Sequence, residues 1–200
     1  METFRLKTSY IIVPGAWNTR IFNPMWLMKN FDLDKQPNFN KKIGISFNFE
    51  ERDVKFDFCG ISVIPTNNNL TLQINDFNQF EDKCNFTETI LKKIFLLLPH
   101  TPIKGIGFDF VFEFLSSTTS SFAKNILNKS NLNGEFTLSR NYYQKKEKDY
   151  ILTIIGSINN DDPDILGIIE FNYNYKSPNY LKGDNVFCNQ YNISTRLING

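Results

Sequence analysis

His100 is the chain's single histidine. Any Ser–His or Cys–His nucleophilic pair, and any histidine-rich metal site, would have to run through that one residue. It stands in Leu98-Pro99-His100-Thr101-Pro102, just past a strongly helical stretch. An imidazolium there complements the negative end of a helix dipole, which is a structural setting. Asp109 and Glu113 have more suggestive spacing, four residues apart on one side of an expected strand. Buried, such carboxylates would need partners and could do acid–base or metal-dependent chemistry. On a solvated sheet face they are ordinary polar positions, and that open setting is the expectation for both.

Other candidate chemistry is thinner. Acidic groups at Asp32/Asp34, Glu50/Glu51/Asp53 and Asp161/Asp162/Asp164 lie in expected turns without EF-hand spacing, so no metal site is expected. Gly105-Ile106-Gly107 lacks the third glycine of a phosphate-binding turn and falls inside a strand, and no G-x-S-x-G occurs. No cofactor and no catalytic residue are assigned. Arg140, Tyr142, Tyr143, Lys145 and Lys146 form one basic–aromatic surface segment. Cations beside strand aromatics can hold single-stranded nucleic acid. Against that stand a nearly balanced charge, 22 Lys+Arg to 21 Asp+Glu, and only 5 Arg among those cations. Nucleic acid is therefore not an expected partner. The best candidate contact surface is Trp17 with Met25, Trp26, Met28 and Phe31, because Trp and Met are enriched at interface cores.

The elements that must position these residues can be read from periodicity. Residues 3–13 alternate Phe4, Leu6, Tyr10 and Ile12 with Arg5, Lys7 and Ser9, a half-buried strand ended by Pro14-Gly15. Asn23-Pro24 opens a short helix over 24–30. Strands follow at 43–49, 54–58, 61–63 and 70–74, with a phase shift at Cys59-Gly60 that suggests a β-bulge. The main helix is expected at 85–98, with Asn85 and Glu88 as a capping-box-like pair and Thr87, Glu88, Lys92 and Lys93 facing water. The strongest strand is 104–115, where Ile106, Phe108, Phe110, Phe112 and Phe114 share a face. A second short helix is expected at 118–128. Strands follow at 135–143, 149–158 and 165–175, and the tail is expected to be a loop with an edge strand at 186–198.

The chain has 200 residues, 41% of them hydrophobic, with 20 Phe, 26 Asn and only two Ala. The Asn, Ile, Lys and Phe bias is that of an AT-rich genome, while scarce Ala and abundant Phe favour strands over helices. The expected fold is α+β: an antiparallel, strand-rich sheet of about eight strands in two meanders, packed against one main helix and two short helices. Residues 1–200 are expected to form a single domain, with 176–200 as a loosely packed extension. Cys59, Cys84 and Cys188 are too few and too widely spaced for a disulfide framework. With no secretory h-region near the start and no membrane-length apolar run, a cytoplasmic setting without membrane association is expected. The leading functional expectation is a non-catalytic interaction or assembly module, a subunit of a larger complex with a protein partner or another copy of itself. One alternative is a carrier of a small apolar ligand between sheet and helix. The other is an acid- or metal-dependent enzyme using Asp109/Glu113.

Overall fold

The computed structural model describes residues 3–33, 43–48, 53–127, 131–132, 136–137, 140–158, 162, 164–177 and 185–199. The strands are β1 (Phe4–Pro14), β2 (Gly44–Asn48), β3 (Asp53–Phe58), β4 (Ile61–Pro65), β5 (Asn69–Ile74), β6 (Ile106–Leu115), β7 (Asn131–Leu132), β8 (Phe136–Thr137), β9 (Arg140–Lys146), β10 (Tyr150–Ile158) and β11 (Ile165–Tyr175). The helices are α1 (Pro24–Phe31), α2 (Phe80–Leu97), α3 (Ser121–Ile126) and α4 (Val186–Asn199). Nine strands form one antiparallel sheet in the order β2-β3-β4-β5-β1-β6-β11-β10-β9, and β7 pairs with β8 separately. The fold is therefore α+β and strand-rich, with both expected meanders present. Each half of the chain also runs in the same order: long strand, short helix, meander, closing helix.

Contacts divide the chain into two compact units, one of residues 1–9, 108–175 and 189–200 and the other of residues 10–107 and 176–188. The first unit is built on the phenylalanines of β6. Phe112 meets Phe171 edge-on at 5.8 Å, Phe110 meets Tyr173 at 6.1 Å, and Phe108 meets Tyr175 at 5.5 Å. Phe122 of α3 stacks on Phe171, and Tyr191 of α4 stacks on Phe112. Offset and edge-on pairs of this kind each add about 0.5–1.5 kcal/mol to the burial itself. The buried phenols are satisfied from α4: Tyr173 shares a hydrogen bond with Ser194, and Gln190 donates to Tyr175.

The second unit holds the β2–β5 meander, α1 and α2. Asn23 caps α1, its side chain accepting from the Trp26 amide, with Pro24 in the first turn as expected. The expected bulge at Cys59-Gly60 is instead a two-residue hairpin turn between β3 and β4. Both residues have positive φ, 50° and 77°, the backbone of a turn whose twist matches the strands. Gly60 suits its φ of 77°, a backbone conformation that L side chains rarely adopt. Lys83 reaches that hairpin from α2, donating to the Cys59 carbonyl and to Asp76.

Helix α2 starts at Phe80, one turn before the expected Asn85 cap, so Asn85 is interior. Gln79 supplies no side-chain cap; Glu81 and Asp82 in the first turn favour the start through the helix dipole. Thr87 and Glu88, expected in water, are buried. The reason lies in the tail. Residues 186–198, expected as an edge strand, are helix α4, and the Glu88 carboxylate accepts from the Phe187 backbone N–H at 2.5 Å. A glutamate of one helix thus accepts from the first turn of another, where backbone N–H groups point out of the helix. Burial pushes the Glu88 carboxyl up, against the pull of the Phe187 amide and Lys92. Cys84 and Cys188 carry free, buried thiols beside this contact, and burial followed by their mutual proximity pushes the Cys84 thiol up.

Glu88→Ala should lower stability by about 2 kcal/mol in urea unfolding, because it strands a buried amide and removes a cap. Glu88→Gln should lose less, since its carboxamide oxygen still accepts.

Candidate functional site

The five residues expected to form a contact surface do not act as one. Trp17 and Phe31 are core residues. Trp17 donates its indole N–H to the Val13 carbonyl at 2.9 Å, and its ring packs against Phe22 and Phe95. Phe31 is buried with its ring edge-on to Trp26 at 5.5 Å, leaving Trp26 half-buried. Only Met25, 75% exposed, and Met28 turn outward. An eight-residue helix with apolar side chains all round must bury one side, and here the aromatic side goes in.

More exposed apolar surface lies where the sequence reading placed none, on β2. This strand ends the sheet, and all five of its residues are exposed. Ile45 is 60% exposed and Phe47 47% exposed. They pair directly with Phe56 and Val54 of β3, so the four side chains share a face. Phe56 and Val54 also line a pocket of about 500 Å³, together with Phe22, Thr19, Arg20, Asp53 and the 65–68 turn. The lining mixes apolar residues, Phe22, Val54, Phe56 and Pro65, with polar and charged ones, Thr19, Arg20 and Asp53. The pocket lies against β3 and the turn before α1.

The other end of the sheet is β9, where Tyr142 and Tyr143 are exposed. Successive strand residues point to opposite faces, so Tyr142 shares a face with Lys146, and Tyr143 with Lys145. Lys145 is paired with Glu147 at 2.6 Å. Arg140 is paired in register with Ser157. The expected basic–aromatic surface is therefore split between two faces of one edge strand.

Asp109 and Glu113, expected on an open face, are 6% and 3% exposed. β6 is flanked in the sheet by β1 on one side and β11 on the other, so each acid has a neighbouring strand beside it. The two carboxylates have different partners. Glu113 is held by Arg5 and by Lys7 at 3.3 Å; burial raises its pKa, but these two cations together hold it below the usual range. Asp109 accepts from Asn172 Nδ2 at 2.6 Å, and the same nitrogen donates to Glu170 at 2.7 Å. Burial pushes the Asp109 carboxyl up to about 7, the Asn172 hydrogen bond opposing it and the Glu170 charge adding to it. The polar row continues across the sheet through Thr153, in register with Asn172, to Gln144. Such a row can hold or release one proton near neutrality. Among the described residues, no three His, Cys, Asp or Glu side chains converge to hold a metal ion, and no helix is long and apolar enough to cross a membrane.

The raised Asp109 pKa has a definite sign. Its folded value lies above the unfolded one, so the stability it contributes is complete below about pH 4 and is lost as pH rises through about 7. Asp109→Asn should flatten that decline, gaining about 3–4 kcal/mol on the wild type between pH 4 and pH 8 in denaturant titrations.

No protein-family model matches the chain, no curated protein matches it in sequence, and no solved structure matches its fold.

Proposed function

We propose that the protein is a non-catalytic assembly module that takes up a partner by strand addition at β2. One observation carries this reading: β2 ends the sheet with all five residues exposed and with Ile45 and Phe47 side by side on one face. An edge strand offers a row of N–H and C=O groups to any extended segment, and pairing supplies main-chain hydrogen bonds. Proteins guard such edges with charge, proline or a bulge, and Gly44–Asn48 contains no charged residue and no proline. The neighbouring pocket against Val54 and Phe56 would receive side chains of the added segment and so select it. The acidic pair expected to support an enzyme has instead divided between two sets of partners, Arg5/Lys7 and Asn172.

A photoreactive residue at position 45, in the protein within its own host, should give a cross-linked adduct of one defined mass. Adding Phe47→Lys should abolish it, and a photoreactive residue at position 142 should give none. No adduct from position 45, or one indifferent to Phe47→Lys, would overturn the reading.

A further inference from the structure

We infer that Cys84 and Cys188 are a redox site, a pair of thiols that closes a disulfide in exchange with a small-molecule disulfide and so fastens the first turn of α4 to α2. The two stand about a hundred residues apart in the chain, and the fold brings them together. Helix geometry makes the approach specific. Cys84 lies one turn before Glu88 on the same side of α2, and both are buried. Glu88 accepts from the Phe187 N–H at 2.5 Å, and the N–H groups of Val186 and Cys188 also hydrogen-bond its carboxylate. Those three bonds hold the start of α4 against the stretch of α2 that carries Cys84. The side chains then meet, the two thiols sharing a hydrogen bond. A disulfide needs Cβ vectors that point toward each other, and touching sulfurs have that orientation. A single buried cysteine is an ordinary small apolar residue. Here the chain has three cysteines, all free, and two of them touch across packed helices.

The exchange balances in two steps. Cys188 is 7% exposed and Cys84 fully buried, so Cys188 meets the small disulfide first. Its sulfur gives up a proton and bonds to one sulfur of the reagent, releasing a small thiol that takes the proton. The Cys84 sulfur then gives up its proton and attacks the Cys188 sulfur, releasing the second small thiol. The protein loses two hydrogens with their electrons, and the small disulfide gains both. Burial, followed by the neighbouring Cys188 and Glu88, pushes the Cys84 thiol up. Closure is therefore slow while α4 is docked and proceeds as its first turn opens.

The test treats the full purified chain, folded, with oxidised glutathione, then quenches with acid and maps peptides without reduction. The expected result is a Cys84–Cys188 linked peptide in a chain lighter by two hydrogens, with one alkylatable thiol after denaturation in place of three. The urea midpoint should rise by about 1 M, because the link closes a long loop, and dithiothreitol should return it. Cys59→Ser, on the β3–β4 turn, should leave the link unchanged. Cys84→Ser should instead trap a glutathione adduct on Cys188. The wild-type map decides by itself, whatever the serine costs in stability. Thiols at 84 and 188 that stay free, carry separate glutathione adducts, or link only in the urea-unfolded chain overturn the redox site. A link that leaves the urea midpoint unchanged overturns the fastening of α4.

Discussion

Among the described residues, a sheet whose order begins at β2 and ends at β9 has no strand beyond either of those two rows of backbone hydrogen-bonding groups. That constraint organises much of what is exposed on this protein. Buried backbone groups are satisfied almost without exception, and edge groups are satisfied by water or by another chain. The two ends meet the problem differently. β9 carries Arg140, Lys145 and Lys146, cations that disfavour pairing with its own kind. β2 carries Gly, Ile, Ser, Phe and Asn, and so lacks that protection. An unprotected edge beside a pocket of mixed lining is the feature on which the functional proposal rests.

The interior follows from a second constraint, that a central strand must be covered on both faces. β6 answers it on one face with phenylalanines, of which Phe108, Phe110 and Phe112 each meet an aromatic of β11. On the other face it places Asp109 and Glu113, and the two acids diverge in charge behaviour because of what lies beside them. Arg5 and Lys7 keep Glu113 ionised. Beside Asp109 stand the Asn172 amide and the Glu170 carboxylate, and desolvation outweighs them, so its pKa is pushed up to about 7. Two carboxyls four residues apart on one strand thus serve as a fixed ion-pair member and a titrating group.

Features set by local chemistry were legible in the sequence. The phenylalanine periodicity of 106–114 gave a central strand, Asn23-Pro24 gave the start of α1, and residues 165–175 gave β11 end to end. Features set by a distant partner were not. Glu88 reads as a solvent-facing helix residue until α4 is seen to place the Phe187 amide against it. α4 itself hides because its buried stripe includes the polar Gln190 and Ser194, whose amide nitrogen and hydroxyl are engaged by Tyr175 and Tyr173. Asp109 reads as solvated because alternation shows which side a residue faces and not how deeply neighbours cover it. The candidate site was legible in the same partial way. Met25 and Met28 do face outward, Trp17 and Phe31 do not, and no sequence rule says which strand will be last in a sheet. The one available signal was the uncharged, proline-free run 44–48, which is unusual for an edge and ordinary for an interior strand.

The repeated order of elements shows why the edges fall where they do. Each half of the chain begins with its longest or most apolar strand, β1 or β6, and these are neighbours in the sheet. Each meander then runs back toward that strand, β2 through β5 beside β1 and β9 through β11 beside β6, so the first strand of each meander is left outermost. The edge is therefore a consequence of the connection order, and its side chains are free to specialise because core packing does not constrain them. Two structurally equivalent strands, β2 and β9, carry opposite edge chemistry.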